Sequence, residues 1–169
     1  FIAATNINKV VPEYLKTGTF QPRPSLQTLS NAMDVGNPSN FERLLKIFEG
    51  RHSHMQKQIE GIWVNDEETL ETISRYHSQE KIFLDPHTAL GVKAAERYID
   101  STDSLKDACL VTLGTAHPGK FLEIVEQATG RLPPLPPQLV EVMNLPKQAL
   151  LMENRAEALK SYLLDTFGS

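Results

Sequence analysis

Residues 108–121 constrain the fold of this chain more than any other stretch of its sequence. Residues 108–113 are mostly apolar and partly β-branched, which predicts a buried strand of a parallel sheet. Gly114 ends the apolar run, and Pro118 stands where a helix begins, with apolar residues recurring at helical spacing behind it. The polar residues between them then lie at the carboxyl end of a strand, where open α/β sheets bind ligands.

Length, charge and hydropathy exclude several classes of protein. A chain of 169 residues is expected to form one domain and to bury roughly 70% of its unfolded surface. Its net charge of -4 provides no basic excess for phosphates, and no apolar run approaches the ~20 residues of a membrane span. We therefore expect neither a nucleic-acid nor a membrane partner. The single cysteine, Cys109, lies in the predicted strand and is expected to be buried and reduced, in a cytoplasmic protein.

The predicted elements alternate between strands and helices along the chain. Further strands are predicted at residues 1–4 and 62–64, so the fold class is α/β, with a partial open twisted sheet and flanking helices. The chain begins inside a strand pattern and without methionine, and we therefore expect it to be part of a longer protein.

Capping residues delimit most of the predicted helices. Gly18 is expected to end a helix that begins near Val10, because glycine favours the position after a helix. A pattern of Ser39 and Glu42 reads as a capping box. The helix that begins at this capping box is expected to end at Gly50, and further helices are predicted at residues 53–60, from Asn65 or Asp66 to about 76, from Asp85 and Pro86 to about 98, and at 150–167.

A change of composition after Gly130 divides the chain. Residues 132–137 read Leu-Pro-Pro-Leu-Pro-Pro and are expected to be stiff and extended, because successive prolines hold polyproline geometry. Residues 1–130 are accordingly predicted to form the α/β domain, and residues 131–169 a proline-rich connector with a C-terminal helix.

Three clusters of small polar residues lie at predicted loop-to-helix junctions. They span residues 30–43, 85–91 and 114–120. Such residues cap helices, and helix N-termini also attract anions, so capping and phosphate binding both remain open. The alternating His52 and His54 suggest a strand edge and predict no metal site. The sequence contains no serine-hydrolase elbow, dinucleotide fingerprint or Walker loop.

Five strings resemble threonine synthases of the bacterial and fungal type, in the family's own order. They are FIAATNIN at 1–8, LSNAMDV at 29–35, PSNFER at 38–43, DPHTALG at 85–91 and LGTAHPGKF at 113–121. The resemblance covers residues 1–130 and is looser beyond Arg131.

The resemblance implies an enzyme that uses pyridoxal phosphate (PLP) and has the fold of the tryptophan synthase β-subunit, called fold type II. Members of the family are carbon–oxygen lyases that convert O-phosphohomoserine and water into threonine and phosphate. Its Schiff-base lysine and glycine-rich phosphate loop precede the region that resembles this chain. The sequence motif that surrounds the family's Schiff-base lysine is not found around Lys9, Lys16, Lys46 or Lys120. The chain alone is therefore expected to be inactive. It is also expected to need the missing N-terminal part, or to self-associate.

The resemblance also implies roles for individual residues. Thr115 matches the family's neutral hydroxyl residue that faces the pyridine nitrogen, and Gly114 and Ala116 flank it as cofactor-binding residues. The implied substrate residues are Ser30, Asn31, Asp34, Asn37, Ser39, Asn40, His87 and His117. The alternative is a free-standing, non-catalytic module that binds a phosphate ligand or a protein.

Overall fold

The computed structural model describes residues 1–102 and 109–168, and within these residues it contains a two-stranded parallel sheet. Strand β1 comprises Ile2–Thr5 and strand β2 comprises Glu60–Trp63. Ile2 pairs with Glu60 and Thr5 pairs with Trp63. The strands predicted at residues 1–4 and 62–64 are therefore confirmed, with small shifts at their ends.

Eight α-helices and two short 3-10 helices complete the described elements. The 3-10 helices are Asn31–Met33 and Pro118–Lys120. The α-helices are α1 Val10–Thr17, α2 Phe41–Ile47, α3 His52–Gln58, α4 Asp66–Glu80, α5 Pro86–Asp100, α6 Leu122–Thr129, α7 Pro137–Met143 and α8 Ala156–Phe167.

Helices α1 and α5 cover opposite faces of the sheet. Ala3 packs on a cluster that includes Tyr14 and Leu15 of α1. Its neighbours Ile2 and Ala4 pack on the cluster formed by Val64 and α5. Successive side chains of a strand point to opposite faces, so each helix buries one face.

The helix ends agree with most of the predicted caps. Gly18 ends α1 with a φ of 76°. Asn65 accepts from the backbone of Glu68 and completes a capping box at the start of α4. Asp85 caps α5, whose first residue is Pro86. These three predictions are confirmed because each depends only on residues within one turn.

Two other local predictions are wrong. Ser39 does not cap a helix: α2 begins at Phe41, and its N-cap residue Asn40 makes no side-chain capping bond. His52 and His54 lie on helix α3 and not at a strand edge. The alternation of two histidines over three residues was too short to establish a period.

The strand predicted at residues 108–113 is also wrong over residues 109–113, and residue 108 lies outside the described residues. Residues 109–113 form no strand, and Val111 and Leu113 are 77% and 81% exposed. Cys109, expected to be buried, is exposed. A strand needs a neighbour for its backbone groups, and among the described residues only β1 and β2 pair.

The chain divides into two compact units. The first comprises Phe1–Leu135, and the second begins at Pro136. Helices α7 and α8 belong to the second unit. Helix α7 was not predicted from the sequence, and α8 begins at Ala156, six residues after its predicted start. None of the described helices has the length and apolar character needed to cross a membrane.

Candidate functional site

A cavity of about 390 Å³ lies beside β1 in the first unit. Its walls are β1, Met33 of the first 3-10 helix, one face of α5, and residues 110–113 with Thr115. Most lining residues are apolar, and His87, Tyr98, Thr112 and Thr115 supply the polar side chains. Among the residues that the structure describes, no lysine, arginine, aspartate or glutamate lines this cavity. The cavity therefore suits a flat, largely apolar group that carries few polar atoms.

Asp85 organises the wall of the cavity at the start of α5. Its side chain is buried, and its Oδ1 atom accepts the backbone N–H of His87 at 2.9 Å. The same oxygen contacts His87 Nδ1 at 3.0 Å, while Oδ2 accepts the Thr88 hydroxyl. Both carboxylate oxygens thus have partners inside the protein.

His87 connects α5 to the first 3-10 helix. Its Nε2 atom accepts the backbone N–H of Ala32 at 3.2 Å, so the ring proton is on Nδ1 and is donated to Asp85. The imidazole also packs on Phe121, with 4.9 Å between ring centroids. Both ring nitrogens of His87 are therefore occupied by intramolecular hydrogen bonds.

A buried polar network fixes residues 28–34 against the end of β1. The side-chain amide of Asn6 donates to Asp34 Oδ1 and to Thr28 Oγ1, both at 2.8 Å. Asp34 also accepts the Thr28 hydroxyl at 2.7 Å and the Thr28 backbone N–H at 2.9 Å. Asn8 adds bonds to Asp34 and to the Leu26 carbonyl. This network holds the loop at the carboxyl end of β1.

The structure brings together only part of the predicted site. Thr115 and His87 line the same cavity, and Gly114 lies against Thr88 beside it. Ser30 and Asp34 belong to the buried network of residues 28–34, and Asn31 is exposed on the adjoining 3-10 helix.

The remaining predicted residues do not line the cavity. Asn37, Ser39 and Asn40 are exposed ahead of α2. His117 is exposed, and its Nδ1 atom accepts the Gly119 N–H at 3.0 Å, so it caps the second 3-10 helix. Ala116 is half-buried in the preceding loop.

The four lysines left unassigned from the sequence also lie away from the cavity walls. Lys9 and Lys16 line a different cavity of about 700 Å³, on the α1 side of β2. There Lys9 Nζ lies 4.1 Å from the centroid of the Trp63 ring. Lys46 and Lys120 are exposed, on α2 and on the second 3-10 helix.

Comparisons with known proteins agree with this geometry. The family model "Threonine synthase, C-terminal" matches residues 88–163. Threonine synthase of Haemophilus influenzae is 34% identical over 164 residues, which are 97% of this chain and 37% of that protein. The crystal structure of Escherichia coli threonine synthase is 33% identical with a TM-score of 0.80, over 98% of this chain and 37% of that one. The chain belongs to the threonine synthase family.

A second solved structure adds a ligand to the comparison. PLP-bound threonine synthase from Brucella melitensis is 30% identical with a TM-score of 0.80, over 96% of this chain and 39% of that one. The chain therefore spans well under half the length of the threonine synthases it matches. The resemblance inferred from the five strings is confirmed, and so is the α/β fold with a small open sheet.

Sequence reasoning missed several residues that shape the site. Asn6, Asn8 and Thr28 carry the network behind Asp34, and Thr88 lies between Asp85 and Gly114. Two asparagines directly after a predicted strand were a signal, since asparagine is unfavourable within strands and common where a side chain binds backbone. Their partners could not be identified, because those partners lie far away in the sequence.

Proposed function

We propose that the complete protein is a threonine synthase that uses PLP to convert O-phosphohomoserine and water into threonine and phosphate. In this proposal the present chain supplies one wall of the cofactor site and part of the substrate site. The observation that carries it is the position of Thr115, which lines the cavity in a chain whose family includes a PLP-bound structure.

The residues that line the cavity fit the ring of PLP. Thr115 offers a neutral, exposed hydroxyl, which can hydrogen-bond a pyridine nitrogen without forcing a proton onto it. The largely apolar walls suit an aromatic ring. When bound, the cofactor supplies an electron sink that makes carbon-bound protons of the substrate removable. Gly114 and Ala116 are proposed to shape the backbone on either side of Thr115.

Two parts of the cofactor site are proposed to come from elsewhere. The cofactor's phosphate needs donors, and its aldehyde needs a lysine, yet within residues 1–102 and 109–168 no lysine or arginine lines the cavity. We assign both roles to a part of the complete enzyme outside this chain, which corresponds to the region of the relatives that the chain does not match. On this basis the 169-residue chain alone has no threonine synthase activity.

The proposed substrate residues fall into two groups. Asn31 and His117 are exposed and can contact substrate directly, as can Asn37, Ser39 and Asn40. Ser30, Asp34 and His87 are held by intramolecular bonds and are proposed to shape the substrate wall. The polar groups of this wall would bind the phosphate of O-phosphohomoserine.

The same proposal extends to domains and location. Residues 1–130 would belong to a PLP-binding domain of fold type II, and residues 131–169 would form a connector and a C-terminal helix. We propose a cytoplasmic location, as expected for a biosynthetic enzyme, and Cys109 of this chain is a free thiol.

An assay of the complete protein tests the proposal. Purified protein with PLP is incubated with O-phosphohomoserine, and threonine and phosphate are measured together. We expect both products in equal amounts, and neither from the 169-residue chain alone. If the complete protein releases no threonine but binds a phosphorylated amino acid, the non-catalytic module is the better description.

A further inference from the structure

We propose that Asp85 is a positioning residue that sets the substrate wall and the cofactor loop of the site relative to each other. The substrate wall is residues 30–34, and the cofactor loop is residues 112–116. The inference deepens the proposed function and rests on it. Asp85 acts through two neighbours, His87 for the wall and Thr88 for the loop.

Asp85 does more than cap a helix. A cap needs only an oxygen that accepts backbone N–H groups, and Oδ1 of Asp85 accepts those of His87 and Thr88 at 2.9 and 3.4 Å. The carboxylate makes two side-chain contacts in addition, to the His87 ring and to the Thr88 hydroxyl. With 1% of the residue exposed, water does not compete for these bonds.

The first branch runs from Asp85 to the substrate wall. The bond to Asp85 orients the His87 ring, and its Nε2 then accepts the N–H of Ala32 at 3.2 Å. Ala32 lies in the 3-10 helix that also carries Asn31 and Met33, and Met33 lines the cavity. A change in the His87 ring therefore moves the wall that is proposed to meet substrate.

The second branch runs from Asp85 to the cofactor loop. A Cβ atom on Gly114 would lie 3.3 Å from Thr88 Oγ1, so the loop backbone rests directly on the Thr88 side chain. One turn further, a Cβ atom on Gly91 would lie 2.9 Å from Thr112 Cγ2. The loop is thus seated on the first two turns of α5, immediately before Thr115. The hydrogen bond from the Thr88 hydroxyl to Asp85 fixes the rotamer of Thr88, and the cofactor loop rests on that side chain.

Separate variants of the complete enzyme test the two branches. His87→Phe keeps a ring beside Phe121 but loses the bonds to Asp85 and Ala32. We expect KM for O-phosphohomoserine to rise roughly tenfold, with a smaller effect on the dissociation constant for PLP, because His87 also lines the cavity. Thr88→Val keeps the volume but loses the bond to Asp85. We expect it to weaken PLP binding roughly tenfold, with a smaller effect on KM.

Asp85→Asn tests the common point of the branches. Asparagine caps helices as well as aspartate does, so α5 should still begin at the same place. Its amide nitrogen cannot accept the Thr88 hydroxyl, and loss of the charge weakens the bond from His87. We expect both KM and the PLP dissociation constant to rise in this one variant.

A control and a second readout separate positioning from general destabilisation. Glu96→Gln weakens the bonds to Arg75 and Tyr76 near the other end of α5 and should alter neither constant. Hydrogen exchange of residues 31–35 is measured by mass spectrometry in each variant. It should accelerate in His87→Phe and Asp85→Asn, where the Ala32 N–H loses or weakens its acceptor, and not in Thr88→Val or Glu96→Gln.

The outcomes distinguish this inference from the proposed function. Unchanged exchange in His87→Phe, or equal effects of all variants on both constants, overturns the positioning role. If the wild-type enzyme makes no threonine, the proposed function fails. The two remaining measurements, hydrogen exchange of residues 31–35 and the dissociation constant for PLP, still test whether Asp85 is a positioning residue. Loss of protection at residues 31–35 in His87→Phe would then support it.

Discussion

Residues of the candidate site differ in whether the polar atoms of their side chains already have hydrogen-bond partners within the protein. Thr115 is exposed and lines the cavity, so its hydroxyl can serve a ligand. Asp34 lies just outside the cavity, with both carboxylate oxygens bonded to neighbours. Substitution of the first should therefore affect binding, and substitution of the second should affect stability.

Thr115→Val in the complete protein should weaken PLP binding and slow turnover while it leaves stability unchanged. Valine is nearly isosteric but leaves the proposed pyridine nitrogen without a hydrogen-bond partner, a loss of about 1–3 kcal/mol. Fluorescence or absorbance titration with PLP measures the change. Thr17→Val, on the exposed side of α1, serves as the isosteric control. Equal affinity in the two variants would show that Thr115 does not contact the cofactor.

Asp34→Ala should destabilise the first unit by at least about 2 kcal/mol, because buried donors of Asn6 and Thr28 lose a charged acceptor. Asn37→Ala, an exposed change in the same segment, should stay within about 0.5 kcal/mol. Urea denaturation of both variants gives the free energies of unfolding. A cost for Asp34→Ala no larger than that of the control would contradict a structural network.

At the scale of elements, α1 ends against a side chain from α3. The Nε2 atom of His52 lies 2.9 Å from the carbonyl oxygens of both Tyr14 and Leu15. Gly18 ends the same helix in the left-handed region, where a Cβ atom would lie 3.2 Å from His52 Nδ1. The end of α1 and the placement of α3 are therefore coupled through one imidazole.

Gly18→Ala should destabilise the protein more than Gly50→Ala. Both glycines have a left-handed φ, of 76° and 68°, which costs alanine about 1–2 kcal/mol. Only Gly18 faces a side chain, since a Cβ atom on Gly50 would meet nothing within 4 Å. In the background of His52→Ala the difference between the two variants should disappear, as measured by thermal or urea unfolding. A difference that survives there would assign the extra cost to backbone strain alone.

The whole molecule exposes apolar surface around its cavity. Phe1 is 93% exposed, and Val111 and Leu113, which line the same cavity, are also open to solvent. β1 pairs with a strand on one side only among the described residues. Exposed apolar patches and open strand edges recruit other chains.

The 169-residue chain by itself should self-associate through this surface. Val111→Lys should reduce association, because a charge cannot be buried there without a partner. Ile47→Lys replaces an exposed aliphatic residue on α2, away from the cavity, and should leave association unchanged. Sedimentation velocity over a range of concentrations measures both. A monomer at every concentration, or equal effects of the two substitutions, would rule out this surface.

Local sequence alone determined the features that depend on neighbouring residues. The caps at Gly18, Asn65 and Asp85 were predictable, since each is decided by backbone geometry within one turn. The five strings likewise established the family without any knowledge of the fold. The pattern of an apolar run, a glycine and a helix start also predicted that Thr115 lies on a loop, although residues 109–113 before it form no strand.

Tertiary structure decided what depends on residues far apart in the chain. Whether the apolar residues 109–113 form a strand depends on a paired neighbour, which their own composition does not specify. The bonds from Asn6 to Asp34 and from His87 to Ala32 depend in the same way on the path of the chain between them. Capping and site formation use the same residue types, so only their three-dimensional partners separate Asp85, which holds the site together, from Thr115, which faces the cavity.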